Sequence, residues 1–266
     1  MNSPLNPSLN APMNPSPNAP QNPSQNPSQN PSLNPSLNPS QNPSQNPPRI
    51  KICGLTQLDD ALLAVELGAW AVGFIFYPKS PRYIVPDRVA AIVARLPAHV
   101  LPVGVFVNAE PTALQQAVRD SGVRVVQLHG DEPPEALAAV HAAAAPGQAL
   151  HTLRAVRPRG PLVLGEVGRH RPSLGFVVDA AVAGHYGGTG QRADWQAARE
   201  LKQLGPVLLS GGLAPDNVAA ALASVRPFGL DVCSGVESQP GRKCPVRLRA
   251  LFHAAASVGP SGQPSL

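Results

Sequence analysis

The first 48 residues contain no aspartate, glutamate, lysine or arginine, and no aromatic residue. Asparagine recurs at every fourth position from Asn2 to Asn46, and proline interrupts nearly every unit. A segment with so little apolar surface cannot offset the entropy lost on ordering, and proline blocks regular helices and strand pairing. We therefore expect residues 1–48 to form a disordered tail, because a four-residue period is also far too short for a solenoid repeat.

Other absences exclude whole classes of protein. The three cysteines show no CxxC spacing, which argues against a disulfide scaffold or a zinc site and suits a reduced, cytoplasmic protein. No apolar run reaches the roughly 18 residues that a membrane span needs. The net charge of +5 is modest, its arginines are scattered, and aromatic residues make up only 4% of the chain. The sequence therefore predicts neither a nucleic-acid partner nor a membrane partner.

Short apolar runs alternate with helical patterns from residue 49 onward. Because the runs are continuously apolar, they are typical of parallel strands buried on both faces. Eight β-then-α units of about 25 residues predict an α/β fold, a (βα)8 TIM barrel over residues 49–257, with a flexible C-terminal tail at 258–266. The eight runs are 49–55, 71–77, 99–107, 123–130, 149–156, 174–180, 206–212 and 229–235.

Two parts of this interpretation leave alternatives open. An open doubly wound sheet would also place helices between parallel strands, but no GxGxxG motif follows the first strand. The fifth connection, residues 157–173, is rich in arginine, proline and glycine and shows no clear helical pattern.

Glycine clusters follow the sixth, seventh and eighth predicted strands, in GGTG, LSGG and SGVE. Glycine lets backbone N–H groups approach an anion closely, and barrels often bind phosphate in the loops after strands seven and eight. One such cluster could serve only as a turn, but three neighbouring clusters favour a phosphorylated small-molecule substrate. The candidate binding residues in these loops are Gly188, Gly190, Gly211, Gly212, Ser234 and Gly235.

Cys53 and Asp179 end the first and sixth predicted strands, where a barrel carries its active site. A strand cysteine is usually inert filling. An aspartate after five apolar residues needs a partner or a function, although it could also cap a loop. The two side chains would face each other across the mouth of the barrel, as a base and an acid on two sides of a substrate must.

The motifs KICGLT, GFIFYPKSPR, VQLHGDE, GGTG, LSGGL and DVCSGVE occur in this order, and residues 49–257 resemble the phosphoribosylanthranilate isomerase family. The resemblance implies an Amadori rearrangement in tryptophan biosynthesis, with Cys53 as general base and Asp179 as general acid. It implies that Arg82 holds the anthranilate carboxylate, and His129 is a further candidate substrate-binding residue. No metal or other cofactor is implied, and a monomer or a homodimer is expected.

This chemistry sets requirements on both groups. A thiol needs a modest fall in pKa to act as a base at neutral pH, whereas an aspartic acid needs a raised pKa to act as an acid. Burial of Asp179 or the substrate phosphate could supply that rise. Arg82 could instead be a surface residue paired with an acid such as Asp87.

Three positions depart from the family pattern. Trp70, before the second strand, is expected to be structural. Cys233 stands inside the eighth predicted strand where serine is frequent, and we expect it to fill the core. Cys244 replaces the cap of the last helix, which would weaken its start.

Two rival functions remain at this point. A related barrel of histidine biosynthesis performs the same rearrangement on another phosphosugar, but it carries an aspartate on the first strand. A non-catalytic phosphate-binding module has no reason to keep Cys53, Arg82 and Asp179 together.

Overall fold

The computed structural model describes residues 48–144, 149–181, 187 and 190–258. The tail expected at 1–48 lies outside these residues except for Pro48, as does most of the expected C-terminal tail. Eight parallel strands pair in chain order, and the last strand closes onto the first. The predicted (βα)8 barrel is therefore confirmed. The strands are β1 Arg49–Ile52, β2 Ala71–Ile75, β3 Leu101–Phe106, β4 Val125–Leu128, β5 His151–Val156, β6 Gly175–Val178, β7 Val207–Leu209 and β8 Gly229–Val232.

An α-helix follows each strand, and local sequence signals set several of the helix ends. A proline occupies the first turn of α2, α3 and α8, where no backbone N–H donor is needed. Gly122 ends α3 with a φ of 69°. The helices are α1 Leu58–Glu66, α2 Pro86–Val93, α3 Pro111–Ser121, α4 Ala136–His141, α5 Leu164–Val167, α6 Trp195–Leu201, α7 Val218–Val225 and α8 Pro245–Ala256.

The fifth and eighth connections depart most from regular units. The segment without a clear helical pattern forms only the single turn α5, continued by the 3-10 turn Gly168–His170. In the eighth connection a two-stranded hairpin, β9 Glu237–Gln239 and β10 Arg242–Lys243, precedes α8. Cys244 makes no side-chain bond at the start of α8, as expected, but Pro245 supports that start.

Strand alternation separates two buried layers. Ile50 and Ile52 belong to the apolar cluster between the strands and the helices. Lys51, between them, points the other way into the barrel. Trp70 packs edge-on against Phe228 with ring centroids 5.9 Å apart, which agrees with its expected structural role. No helix of the described residues is long and apolar enough to span a membrane.

Candidate active site

Cys53 follows β1 directly and is buried, and its backbone N–H donates to the carbonyl of Val232 over 2.8 Å. Two residues before it, Lys51 pairs with Asp231 of β8, with Nζ 2.7 Å from Oδ1. Both members of this ion pair are buried inside the barrel. The cation of Lys51 favours the ionised form of the Cys53 thiol.

Cys233 lies beside Cys53, so the prediction that it fills the core is wrong. β8 ends at Val232, and Cys233 precedes the 3-10 turn Ser234–Val236 with its side chain half-buried. The register that pairs Ile52 with Val232 places the two cysteines at the next positions of neighbouring strands. Each thiol shifts the pKa of the other, and Sγ of Cys233 also lies 3.9 Å from Oε1 of Glu237.

The interaction between the two thiols separates their acidities. Together with burial, it raises the pKa of Cys53 well above its ordinary value, and the charge of Lys51 opposes that rise. The same interaction lowers the pKa of Cys233 to about 7, and the cations Lys243 and Arg82 add to the effect. In the free protein Cys233 is therefore the more acidic thiol, contrary to the fall in pKa expected for Cys53.

Asp179 follows β6 and is buried, and both of its oxygens have partners. Oδ1 accepts the N–H of Ala180 over 2.8 Å, and Oδ2 lies 3.2 Å from Nε2 of His129. On the other side of the imidazole ring, the amide nitrogen of Gln127 lies 2.7 Å from Nδ1. The Gln127 amide therefore holds the far side of the ring and leaves Nε2 of His129 directed at Asp179.

These contacts set the pKa of Asp179. Burial favours its neutral form, but the hydrogen bond and charge of His129 and the N–H of Ala180 outweigh burial, so the pKa lies below its ordinary value. In the free protein the pKa is therefore not raised, contrary to the expectation for a general acid. No local sequence pattern indicates this contact, because His129 and Asp179 are 50 residues apart.

Arg82 is buried against Glu237 of the SGVE motif, and not paired with Asp87. Nε lies 2.9 Å from one carboxylate oxygen and Nη2 lies 2.8 Å from the other, a bidentate geometry. Glu237 also accepts from Nζ of Lys243 over 2.9 Å. Nη1 of Arg82 takes no part in the pair with Glu237.

Glycines bring the loops after β6, β7 and β8 together. Gly190, Gly211 and Gly212 have φ values of 75°, 74° and 62°, which favour glycine. A Cβ on Gly235 would overlap the carbonyl oxygen of Leu213. Gly188 lies outside the described residues. One cavity joins these loops to the titratable groups. Its lining includes Asp179, Gly190, Gly211, Gly212, Cys233 and Ser234.

A larger cavity, of about 190 Å³, opens beside the loops after β4 and β5. Its lining is basic, with Arg154, Arg157, Arg159 and His170, and contains neither cysteine nor Asp179. The glycine-lined cavity is therefore the candidate active site, since of these two cavities it alone is lined by Asp179, a cysteine and the glycines of the loops after β6 and β7. Within the described ranges, no three His, Cys, Asp or Glu side chains are grouped as a metal site would need.

A closed parallel barrel with acid-base groups and glycine loops at the carboxyl ends of its strands defines a (βα)8-barrel enzyme of the phosphosugar class. The sequence model of N-(5'phosphoribosyl)anthranilate (PRA) isomerase matches residues 50–254. The chain belongs to the phosphoribosylanthranilate isomerase family.

Individual relatives agree with this assignment. The N-(5'-phosphoribosyl)anthranilate isomerase of Citrifermentans bemidjiense is 43% identical over 210 residues, which cover 79% of this chain and 98% of that protein. The crystal structure of a phosphoribosyl anthranilate isomerase from Thermus thermophilus is 38% identical, with a TM-score of 0.71, over 79% of this chain and 98% of that one. A second crystal structure of a phosphoribosyl anthranilate isomerase is 36% identical, with a TM-score of 0.67, over 78% of this chain and 98% of that one. It is a complex with reduced 1-(o-carboxyphenylamino)-1-deoxyribulose 5-phosphate.

Proposed function

We propose that Cys53 and Asp179 are the general base and general acid of the isomerase reaction that this chain catalyses. The chain is an isomerase of tryptophan biosynthesis, as its family and its relatives establish. The reaction converts N-(5-phospho-β-D-ribosyl)anthranilate into 1-(2-carboxyphenylamino)-1-deoxy-D-ribulose 5-phosphate. The observation that supports the assignment of roles is the cavity that joins Asp179 to the glycine loops and to Cys233, the residue that stands beside Cys53 in the register of β8 against β1.

The phosphate group binds in the loops after β6, β7 and β8. Gly190, Gly211, Gly212 and Gly235 let backbone N–H groups come close to it, and the hydroxyl of Ser234 can donate to it. We include Gly188 in this loop set. A phosphate dianion held beside Asp179 raises the pKa of that carboxyl. Asp179 is then protonated when substrate is bound, although it is ionised in the free protein.

Ring opening is the first chemical step. Protonated Asp179 donates to the furanose ring oxygen, the bond from that oxygen to C1′ breaks, and a protonated Schiff base forms with the anthranilate nitrogen. His129 touches Asp179 through Nε2 and is held by Gln127. Both of its ring nitrogens are occupied, so we assign it the positioning of Asp179 as well as its place beside the substrate.

Proton removal from C2′ follows. The thiolate of Cys53 takes this proton, and the electron pair of the C–H bond moves towards the iminium, giving an enolamine that tautomerises to the ketone. If the proton of Cys53 passes to the more acidic neighbouring thiol of Cys233, Cys53 becomes the ionised sulfur, and the cation of Lys51 stabilises it. The iminium is itself the electron sink, so the proposed route uses no cofactor.

Arg82 binds the carboxylate of the anthranilate ring. The pair with Glu237 fixes the guanidinium plane, and Nη1 remains to donate to a second carboxylate. We assign residues 49–257 as the catalytic domain, acting as a monomer or a homodimer.

The test of function is the loss of substrate fluorescence when phosphoribosylanthranilate is turned over. The purified chain should consume this substrate and leave the equivalent phosphosugar of histidine biosynthesis nearly untouched. Addition of a chelator should change neither result. Preferential turnover of the histidine-pathway substrate, or no turnover of either, would refute the assignment.

A further inference from the structure

We propose that Cys53 and Cys233 form a site of reversible disulfide modification, which blocks the thiol assigned as the catalytic base. The third cysteine, Cys244, precedes α8 and takes no part.

The register of β1 against β8 places the two cysteines side by side. β1 and β8 pair residue by residue from Arg49 with Gly229 to Ile52 with Val232, and the N–H of Cys53 donates to Val232. The two cysteines follow this ladder at equivalent positions. Neighbouring strands lie about 4.8 Å apart, and a disulfide needs Cα atoms about 4.4–6.8 Å apart. The backbone spacing therefore suits a bond without movement of either strand.

The side chains also point the same way. Ile52 and Val232 both belong to the layer under the helices, so the next residue on each strand faces the opposite side. A Cβ placed on Gly54 would lie 2.9 Å from Sγ of Cys233, which puts that sulfur next to the residue after Cys53.

The environment of Cys233 favours its oxidation. Cys233 lines the cavity, so a small oxidant can reach it. With a pKa of about 7, Cys233 supplies thiolate at neutral pH, and the thiolate is the form that peroxides attack.

With hydrogen peroxide as the oxidant, the steps balance. The thiolate of Cys233 attacks one peroxide oxygen, the O–O bond breaks, and the released hydroxide leaves as water after it takes up a proton. The resulting sulfenic acid is attacked by the sulfur of Cys53, the S–S bond forms, and a second water leaves. Two thiols are oxidised by two electrons, and one peroxide is reduced to two waters.

The test treats the full chain with hydrogen peroxide and then measures intact mass and free thiols under denaturing, non-reducing conditions. The chain should lose two hydrogen atoms and fall from three free thiols to one, with peptide mapping joining the segments that contain Cys53 and Cys233. Turnover should fall in parallel and return after dithiothreitol. Cys244→Ser should behave like the wild type.

Cys233→Ser is the discriminating variant. It lacks the thiolate that peroxide attacks and cannot close the bond, so it should keep its two remaining thiols at a peroxide dose that converts the wild type. If the wild type keeps all three thiols, gains oxygen without the loss of two hydrogens, or links Cys244 instead, the proposal is overturned. The loss of turnover rests on the proposed role of Cys53. A chain that forms the Cys53–Cys233 bond and stays active would support the site and refute that role.

Discussion

Nε2 of His129 lies 3.2 Å from Oδ2 of Asp179, and this contact sets the state of the proposed acid before substrate arrives. The carboxylate is held ionised in the free protein, because His129 and the N–H of Ala180 outweigh burial. An acid that gains its proton only beside a bound phosphate is active only when the substrate is in place.

The contact between His129 and Asp179 should make the free energy of unfolding depend on pH. A depressed pKa in the folded state stabilises the protein above the unfolded pKa of about 3.9, and this contribution disappears as the pH falls through the folded value. His129→Asn should therefore lower the free energy of unfolding by about 1–3 kcal/mol at pH 7, and by less near pH 3. Urea denaturation at both pH values measures the difference.

The control for that prediction is Asp179→Asn. In this background, His129→Asn should show no comparable change with pH, because the titrating partner is gone. An equal loss of stability at both pH values would show that His129 acts through packing and not through the carboxylate.

Lys51 should matter to both stability and pH dependence. Lys51→Met leaves Asp231 buried without a partner, which should cost about 3–5 kcal/mol of unfolding free energy in denaturant titrations. The double variant with Asp231→Leu should recover much of that loss. Because Lys51 lowers the pKa of Cys53 more than Asp231 raises it, the double variant should need a higher pH for turnover. A pH profile identical to that of the wild type would show that Lys51 does not tune the thiol.

Arg82 should discriminate the substrate through its carboxylate. Arg82→Ala should weaken apparent binding by about 2–4 kcal/mol, because a charged partner is left unpaired, and Arg82→Lys should restore only part of it. The wild type should bind a product analogue without the carboxylate much more weakly than the parent analogue. Arg82→Ala should bind the two equally, and continued discrimination would place the carboxylate elsewhere.

Glu237→Gln separates this role from the structural ion pair. It breaks the bidentate partner of Arg82 but keeps the guanidinium in the site. It should lower stability in denaturant titrations, while preference for the analogue with the carboxylate persists.

The N-terminal repeat should be dispensable. A chain beginning at Pro48 keeps every described strand and helix and the whole family match, residues 50–254. Its melting temperature and turnover should equal those of the full chain. A large fall in either would show that residues 1–47 pack on the catalytic domain.

The sequence was enough to predict the barrel, because apolar runs and helical patterns are local signals. The loops that meet in the cavity were also predictable, since the ends of parallel strands share one edge. Pairings between distant residues were not. The ion pair of Arg82 with Glu237 joins positions 155 residues apart, and the place of Cys233 beside Cys53 depends on the register of β8 against β1. β8 ends at Val232, three residues before the end of the run 229–235, so Cys233 lies beyond the strand and lines the cavity instead of filling the core.

The central claim is that Cys53 removes the C2′ proton. The most direct measurement is the turnover of phosphoribosylanthranilate by Cys53→Ala, with Asp179→Asn and Cys233→Ala assayed beside it. Loss of the base or of the acid should each reduce turnover by ~10²–10⁴-fold, with little change in affinity for the reduced product analogue, and Cys233→Ala should retain far more activity than Cys53→Ala. Near-full turnover by Cys53→Ala, together with an inactive Cys233→Ala, would contradict the account and make Cys233 the base.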